Sequence, residues 1–550
     1  MTLRTGGQIL VDQLKLQGCE RIFTVPGESF LAVLDALHDA ETIETVVCRQ
    51  EGGVAYMADA DGKMTGKPGV AFVTRGPGAT NASAGVHVAF QDSTPMILFV
   101  GDLDRADRDR EGFQEIDMAA FFGPVAKWAA RIDDARRIPE YVARAYRVAT
   151  SGRPGPVVLA IPEDMLRDEV EALDRPAIPP INQPPCAGAM EAMFGLLKDA
   201  TNPVAIIGGA GWNTAAAHFF ETFAARYGIP TAAAFRRQDA MDNECRVYAG
   251  QLGYGPNPRL QQRIRDADLL LVVGARLGES TTDGYKLITP DHPDQILIHV
   301  HPDPNELGRV YKTELPICAE MDEFAEMAAD WHDPELVPFR DGEESHREWL
   351  QWSEPAPRDG VKLDLGPCVK AMRDLLPADT IICNGAGNFS GWWHRYWHYG
   401  PTPTQLAPTS GTMGYGLPAA VAAAIRFKDR PVVCVAGDGD FLMNGQELAT
   451  ASQYGADLLV IIVDNGAYGT IRMHQERDYP ARLSATSLAN PDFAKLAEAF
   501  GGWAERVEKT EDFEVALKRA MERKGIRLLH CITDVNVITN QTTIEKLRAR

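Results

Sequence analysis

Positive charge is scarce in this sequence: 55 Lys and Arg stand against 76 Asp and Glu, a formal net charge of −21. A chain so acidic does not hold nucleic acid or an anionic membrane surface by bulk electrostatics. The nine cysteines are scattered, with no C-x-x-C pair and no metal-ligand spacing. An odd, dispersed count suits reduced thiols. No apolar run reaches the roughly 18 residues of a membrane span. The opening MTLRTGGQILVDQLKLQGC reads as an amphipathic helix interrupted by charge, not as a signal peptide. A cytoplasmic protein with neither nucleic-acid nor membrane partners is expected.

What the sequence has instead is a rhythm. Short runs rich in Val, Ile and Leu alternate with helical patterns: VAFVT, MILFVG, VVLAI, VAIIG, LLLVVG, ILIHV, TIIC, VVCVAGDG and LLVIIVDN. Such runs read as strands of parallel sheets buried on both faces, which predicts an α/β fold. Two stretches break the rhythm, the proline-rich EALDRPAIPPINQPP (171–185) and the charged HDPELVPFRDGEESHREWLQWSEPAPRDG (332–360). They divide the 550 residues into three units of comparable size. The outer two share a plan of strand, glycine loop, helix and strand: GVAFVTRGPGATNAS leads to TPMILFVGD, and VVCVAGDGDFLMNG leads to ADLLVIIVDN. Gly76 lies 25 positions before Gly101, and Gly437 lies 27 before Asp464, which suggests an internal duplication. The middle unit has its own glycine turns, GGAGWN (208–213) and GARLGES (274–280).

A strand that ends in Gly-Asp-Gly and enters a helix suits an anion held together with a cation. Glycines let backbone approach closely, and the helix N-terminus favours negative charge. Asp438 alone repels a phosphate; with Mg²⁺ between them the carboxylate becomes a ligand. Strand tips of a parallel sheet lie close together, so Asn465 can supply a second oxygen and the Ala467 carbonyl a third. Between Gly439 and Asn465 lie 25 residues.

GDG-x25-N followed by AYG resembles the thiamine-diphosphate (ThDP) and Mg²⁺ motif of ThDP-dependent enzymes. Asp464 departs from the pattern, since most members carry two asparagines there. VPGESF (25–30), RQEGGVAYMADA (49–60), GPGATN (76–81), FQEID (113–117), SGRPGPVVLAIPED (151–164), GTMGYGLPAA (411–420) and GDGDFLMNGQELAT (437–450) also stand in the family's order. The chain is similar in nearly its whole length to the acetolactate synthase, pyruvate oxidase and 2-oxo-acid decarboxylase superfamily, closest to acetolactate synthase catalytic subunits. The resemblance implies three doubly wound parallel-sheet domains: an N-terminal ThDP pyrimidine-binding domain at 1–170, a central domain at 186–332 and a C-terminal diphosphate-binding domain at 361–550. It implies a homodimer as the smallest active unit, with Glu51 meeting the metal site across the interface, and a homotetramer beyond that.

The implied chemistry is decarboxylation of a 2-oxo acid and transfer of the resulting enamine to an acceptor carbonyl. Glu51 matches the glutamate that activates the cofactor's pyrimidine ring. Met413 matches the residue that supports the bent cofactor. Gly387, Asn388, Gly411, Gly439, Asp440, Tyr468 and Gly469 are the remaining cofactor-binding candidates beside Asp438 and Asn465. Gln114 matches the glutamine of the synthase and oxidase branches, which tilts the reading towards carboligation. Glu28 stands where some decarboxylases carry an active-site acid. In YGTIRMHQE, His474 takes the place of a tryptophan that shapes the synthase acceptor pocket, and Thr470 replaces a methionine. His474 is a proton-transfer candidate, and a hydrogen-bonded structural histidine is the alternative.

FAD is possible against the middle domain but not favoured, because HVHPDP (299–304) lacks the acid of the usual segment. The two histidines of that segment are not expected to hold a metal. WWHRYWHYG (392–400) is expected to pack a core or a subunit contact, with lining of a hydrophobic substrate entrance as the alternative. The alternative functions are a decarboxylase, an oxidase or a sulfoacetaldehyde-type acetyltransferase of the same superfamily. A nucleotide-binding oxidoreductase fits less well, since GGAG lacks the full G-x-G-x-x-G.

Overall fold

The computed structural model describes residues 2–179, 181 and 183–549. The apolar runs build three six-stranded sheets in which every strand pairing is parallel. The first takes strands from Arg21–Thr24, Glu44–Val47, Gly69–Val73, Met96–Asp102, Trp128–Arg131 and Pro156–Pro162. Counted in chain order, they lie side by side as 2-1-3-4-6-5. The middle sheet uses Pro203–Ile207, Thr231–Ala233, Tyr248–Gln251, Leu269–Val273, Ile296–His301 and Leu315–Cys318 in the order 3-2-1-4-5-6. The third uses Ile381–Asn384, Gln405–Leu406, Val432–Gly437, Leu458–Asp464, Trp503–Val507 and Ile526–Ile532, again as 2-1-3-4-6-5. The outer sheets thus repeat one topology, as the shared sequence plan suggests.

Burial explains why the strands read as unbroken apolar runs. Every residue of Gly69–Val73, Met96–Asp102 and Pro156–Pro162 is buried. With helices on both faces there is no solvent side to favour polar alternation. Phe72 and Phe99 stack with centroids 4.6 Å apart in the first core. Separate apolar clusters form around the middle sheet and the third.

The chain falls into two compact units. One holds the first sheet, with Val421–Arg426 and Asn444–Ala456; the other holds the middle and third sheets.

The two rhythm-breaking stretches differ in structure. Residues 171–179 carry neither helix nor strand, and 180 and 182 lie outside the described residues. The charged stretch is more than a connector, because it contains the helix Asp341–Ser353. That helix is charged on its outer side, which masks it in the sequence, but Trp349 is buried and meets Tyr248 edge-on at 4.9 Å. The aromatic run forms the helix Ser390–Tyr396, and Trp392, Trp393, Tyr396 and Trp397 pack in the third core. His299 and His301 are buried too: His299 Nε2 lies 2.9 Å from the Ala275 carbonyl, and His301 Nδ1 accepts the Asp303 N–H at 3.0 Å. Trp349→Ala is expected to cost about 3–5 kcal/mol, read as a lowered urea midpoint. An unchanged midpoint would mean that the charged stretch is only a connector.

Candidate functional site

The cavity of the second unit sits where the third sheet's strand order reverses, between Ile381–Asn384 and Val432–Gly437. Open α/β sheets bind ligands beyond the carboxyl ends of strands at such a point. Asn384 pairs with Val435, and Gly437 pairs with Val463, so three strand tips converge there. The cavity has a volume of about 230 Å³. Gly387, Asn388, Gly411, Met413, Asp438, Gly439, Asp440, Asn465, Ala467, Tyr468 and Gly469 all line it. His474 does not; it lies exposed on the helix Gly469–Asp478.

Glycine is required at 439, where a Cβ would come 2.6 Å from the Tyr468 ring. Gly411 and Gly414 adopt left-handed φ of 69° and 81°, which sets Met413 in the wall between them. Asn388 is committed to the frame. Its N–H donates to Thr470 Oγ1 (3.1 Å), Thr470 Oγ1 donates back to its Oδ1 (3.0 Å), and its Nδ2 donates to the Ile538 carbonyl (3.0 Å).

Asp440 Oδ1 accepts the N–H groups of Gly414 (2.8 Å) and Ala386 (3.2 Å), tying two cavity loops together. Its Oδ2 is buried without a hydrogen-bond partner. Burial pushes its carboxyl up to about 7. Asp438 Oδ2 accepts from Asn490 Nδ2 at 2.7 Å. Burial, and then the neighbouring Asp464 charge, push the Asp438 carboxyl up. Burial pushes Asp464 the same way, but hydrogen bonds from His530, Gly466 and Asn490 outweigh it and hold Asp464 below the usual range. The cavity wall contains acidic side chains and no Lys or Arg among the described residues. A cation set between such a wall and an anion turns their repulsion into attraction. The hard oxygens in the wall, the Asp438 carboxylate and the Asn465 amide, whose Oδ1 also accepts the Ala467 N–H at 3.1 Å, are of the kind Mg²⁺ prefers. The residues therefore fit a diphosphate carried with Mg²⁺.

The first unit gathers the other candidates around the RGPGATN turn, again at a strand-order reversal. Arg75 is buried; its Nη2 donates to Glu28 Oε1 at 2.9 Å and its Nη1 to Glu163 Oε2 at 3.4 Å. A Cβ on Gly76 would lie 2.6 Å from the carbonyl oxygen of Gln114, whose own φ is 64°. A non-glycine residue held left-handed is strain of the kind found at functional sites. Glu115 secures that loop by accepting the N–H groups of Asp109 (2.7 Å) and Gly112 (2.8 Å). Asn81 Nδ2 donates to Glu51 Oε2 at 2.9 Å.

Glu51 opens the helix Glu51–Thr65, and the Gln50 side chain caps it by accepting from Gly52 N at 2.6 Å and Gly53 N at 3.2 Å. Behind the cap lies Glu447, fully buried. Its Oε1 accepts the N–H groups of Arg49 and Gln50, both at 3.1 Å, and Thr450 Oγ1 donates to its Oε2 at 2.6 Å. A carboxylate at a helix N-terminus is electrostatically favoured. Only glycine fits at 53, where a Cβ would come 2.6 Å from Glu447 Oε1. Reading the sequence missed Glu447, Arg75, Asn81 and Asn490. Asn81 and Glu447 stand inside quoted motifs, yet their roles depend on long-range partners.

Family descriptions match three segments: the thiamine pyrophosphate enzyme N-terminal TPP binding domain at residues 4–121, the central domain at 190–327 and the C-terminal TPP binding domain at 385–531. The acetolactate synthase large subunit of Parasynechococcus marenigrum is 32% identical over 522 residues, covering 90% of this chain and 82% of that one. The isozyme 2 large subunit of Escherichia coli is 29% identical over 543 residues, covering 96% and 95%. The mitochondrial catalytic subunit of Saccharomyces cerevisiae is 28% identical over 562 residues, covering 97% and 81%.

Glu447→Ala would strand the Arg49 and Gln50 N–H groups behind the Glu51 helix. It is expected to cost about 1–3 kcal/mol per unpaired buried group, read by urea unfolding. A variant as stable as the parent would show that these N–H groups reach water.

Proposed function

The chain belongs to the thiamine-diphosphate-dependent enzymes of acetolactate synthase type, and from that premise we propose that it decarboxylates a 2-oxo acid and joins the remaining fragment to an acceptor carbonyl. The observation that carries this reading is the acidic, lysine- and arginine-free cavity at the reversal of the third sheet, lined by every diphosphate-site candidate. In the proposed site the Asp438 carboxylate, the Asn465 amide and the Ala467 carbonyl hold Mg²⁺. The backbone around Gly387, Gly411, Gly439 and Gly469 leaves room for the diphosphate, and Met413 supports the middle of the cofactor. When bound, ThDP supplies a carbon nucleophile for the 2-oxo carbonyl and an electron sink for the loss of CO₂.

Glu51 holds and releases a proton at its carboxyl, with Oε2 fixed by Asn81. Gln114, set in place by Gly76 and Glu115, offers an amide to the reacting carbonyl oxygen. Its presence, where simple decarboxylases carry paired histidines, favours ligation. Glu28 favours the second reading, in which the fragment is protonated and released. The Arg75 ion pair holds its carboxylate at the mouth of the same turn. An oxidase or an acetyltransferase of the same superfamily would share all of these parts.

The proposed assembly is a homodimer, or a tetramer of two such dimers, with Glu51 of one subunit serving the cavity of the other. The proposed domain limits are 1–170, 186–332 and 361–550. The nine scattered cysteines suit a reducing compartment such as the cytoplasm, and no helix among the described residues is long and apolar enough to cross a membrane. FAD is not part of the proposal, and a colourless purified protein is the corresponding expectation.

Purified enzyme with ThDP and Mg²⁺, offered a panel of 2-oxo acids, is expected to release CO₂ and form an acyloin-type product. Release of CO₂ with aldehyde alone would replace ligation by decarboxylation. Glu51→Gln should retain ThDP but slow hydrogen–deuterium exchange at the cofactor's reactive carbon by about 10²–10⁴-fold; unaltered exchange refutes its role. Asp438→Ala should abolish Mg²⁺-dependent ThDP binding in calorimetry, and undiminished binding would remove it from the metal site.

A further inference from the structure

The strand Leu458–Asp464 ends on a carboxylate next to the Asp438 tip, where the family pattern has an amide. Two acidic side chains on neighbouring strand tips repel each other unless donors stand between them. Asp464 Oδ1 accepts the Gly466 N–H at 3.0 Å, and Asp464 Oδ2 lies 2.9 Å from His530 Nε2. His530 is buried, its ring meets Phe493 edge-on at 5.1 Å, and its Nδ1 has no hydrogen-bond partner. That arrangement puts the ring proton on Nε2, facing the carboxylate.

The third donor is Asn490, in the segment that leads to the helix Phe493–Ala499. Its Nδ2 lies 2.8 Å from Asp464 Oδ1 and 2.7 Å from Asp438 Oδ2. An NH₂ group carries two hydrogens, so one nitrogen satisfies an oxygen of each carboxylate. The amide separates the two charges and fixes the rotation of the Asp438 carboxylate. Asp464, held from its far side by His530, gives Asn490 a rigid anchor.

We infer that Asn490 is the positioning residue of the metal-site carboxylate, with the Asp464–His530 pair as its anchor. The inference rests on the reading of Asp438 as a Mg²⁺ ligand. Hydrogen bonds that orient a ligand's unused oxygen tune metal affinity, and their loss typically weakens it by about 10–100-fold. Asn490 touches neither metal nor cofactor in this scheme. Its removal should act on the metal-dependent part of ThDP binding and leave the metal-independent part alone.

The test is calorimetric titration of the full chain with ThDP, across Mg²⁺ concentrations and in EDTA. The variants are Asn490→Ala, the similarly sized Asn490→Leu and Asp438→Ala. Both Asn490 variants are expected to need about tenfold more Mg²⁺ for half-maximal ThDP binding, with affinity in EDTA unchanged. Removing the bridging amide also exposes Asp438 to Asp464, which threatens folding. The double variant Asp464→Asn/Asn490→Ala relieves that repulsion and should show the same Mg²⁺ shift. A parental Mg²⁺ dependence in a folded Asn490 variant, or equal loss in EDTA and in Mg²⁺, overturns the inference. If Asp438→Ala itself keeps Mg²⁺-dependent binding, the metal reading falls first. If Asp438→Ala loses it while the Asn490 variants do not, only the positioning role falls.

Discussion

An acidic cavity with no basic side chain in its wall among the described residues is the constraint on which the rest of the molecule depends. A diphosphate brings negative charge, and Asp438 and Asp440 already stand in the wall. In the proposed site a divalent cation turns those charges from repulsion into attraction. That requirement explains the hard oxygen donors at two strand tips, the amide between the carboxylates and the glycines that keep side chains away. It also explains why the protein tolerates buried carboxyls whose ionisation is opposed by their surroundings. Such sites are costly in the apoprotein, offset in part by the hydrogen bonds both carboxyls accept.

The same sheet order, used twice, divides the work. In both outer sheets the order is 2-1-3-4-6-5, and in both the glycine-rich turns follow strands 1 and 3, where the order reverses. The first sheet places Glu28 after strand 1 and Arg75 with the GPGATN turn after strand 3. The third places the GAGN loop after strand 1 and Gly-Asp-Gly after strand 3. One copy has become a hub of ion pairs and amide contacts around a half-buried glutamate. The other frames the acidic cavity proposed to hold the diphosphate with its metal. The middle sheet also reverses at its two glycine turns, GGAGWN and GARLGES, in the order 3-2-1-4-5-6. Its histidines are spent on backbone contacts within the domain.

Much of this is legible in the sequence because the relevant signals are local. A Val/Ile/Leu run reports burial on both faces whatever its partner strands are. The 25-residue spacing from Gly439 to Asn465 is filled by short helical segments, the longest Leu448–Gln453, and the strand Leu458–Asp464, which pairs with Val432–Gly437. What stays hidden is what depends on distant partners. Glu447 looks like any glutamate in a helix-forming stretch, yet it accepts the N–H groups of Arg49 and Gln50, almost 400 residues away. The helix Asp341–Ser353 is hidden for the opposite reason. Its charged outer side dominates its composition, and only Trp349 marks the buried side.

Asp464 shows how a departure from a pattern becomes intelligible in three dimensions. Taken as a sequence, an aspartate in place of an asparagine beside a proposed metal ligand is a conservative change in shape and a large one in charge. A carboxylate at that tip, with Asp438 alongside, needs more donors than an amide would. The chain provides them from three separate places: the Gly466 backbone, Asn490 before a helix and His530 on the adjoining strand. Were the charge only tolerated, donors to Asp464 alone would suffice. Instead the nitrogen of Asn490 is shared, at nearly equal distances, with the carboxylate that faces the cavity. The added charge has therefore been built into the orientation of its neighbour, and a strand tip that departs from the family pattern is tied to the cavity's carboxylate through one shared amide.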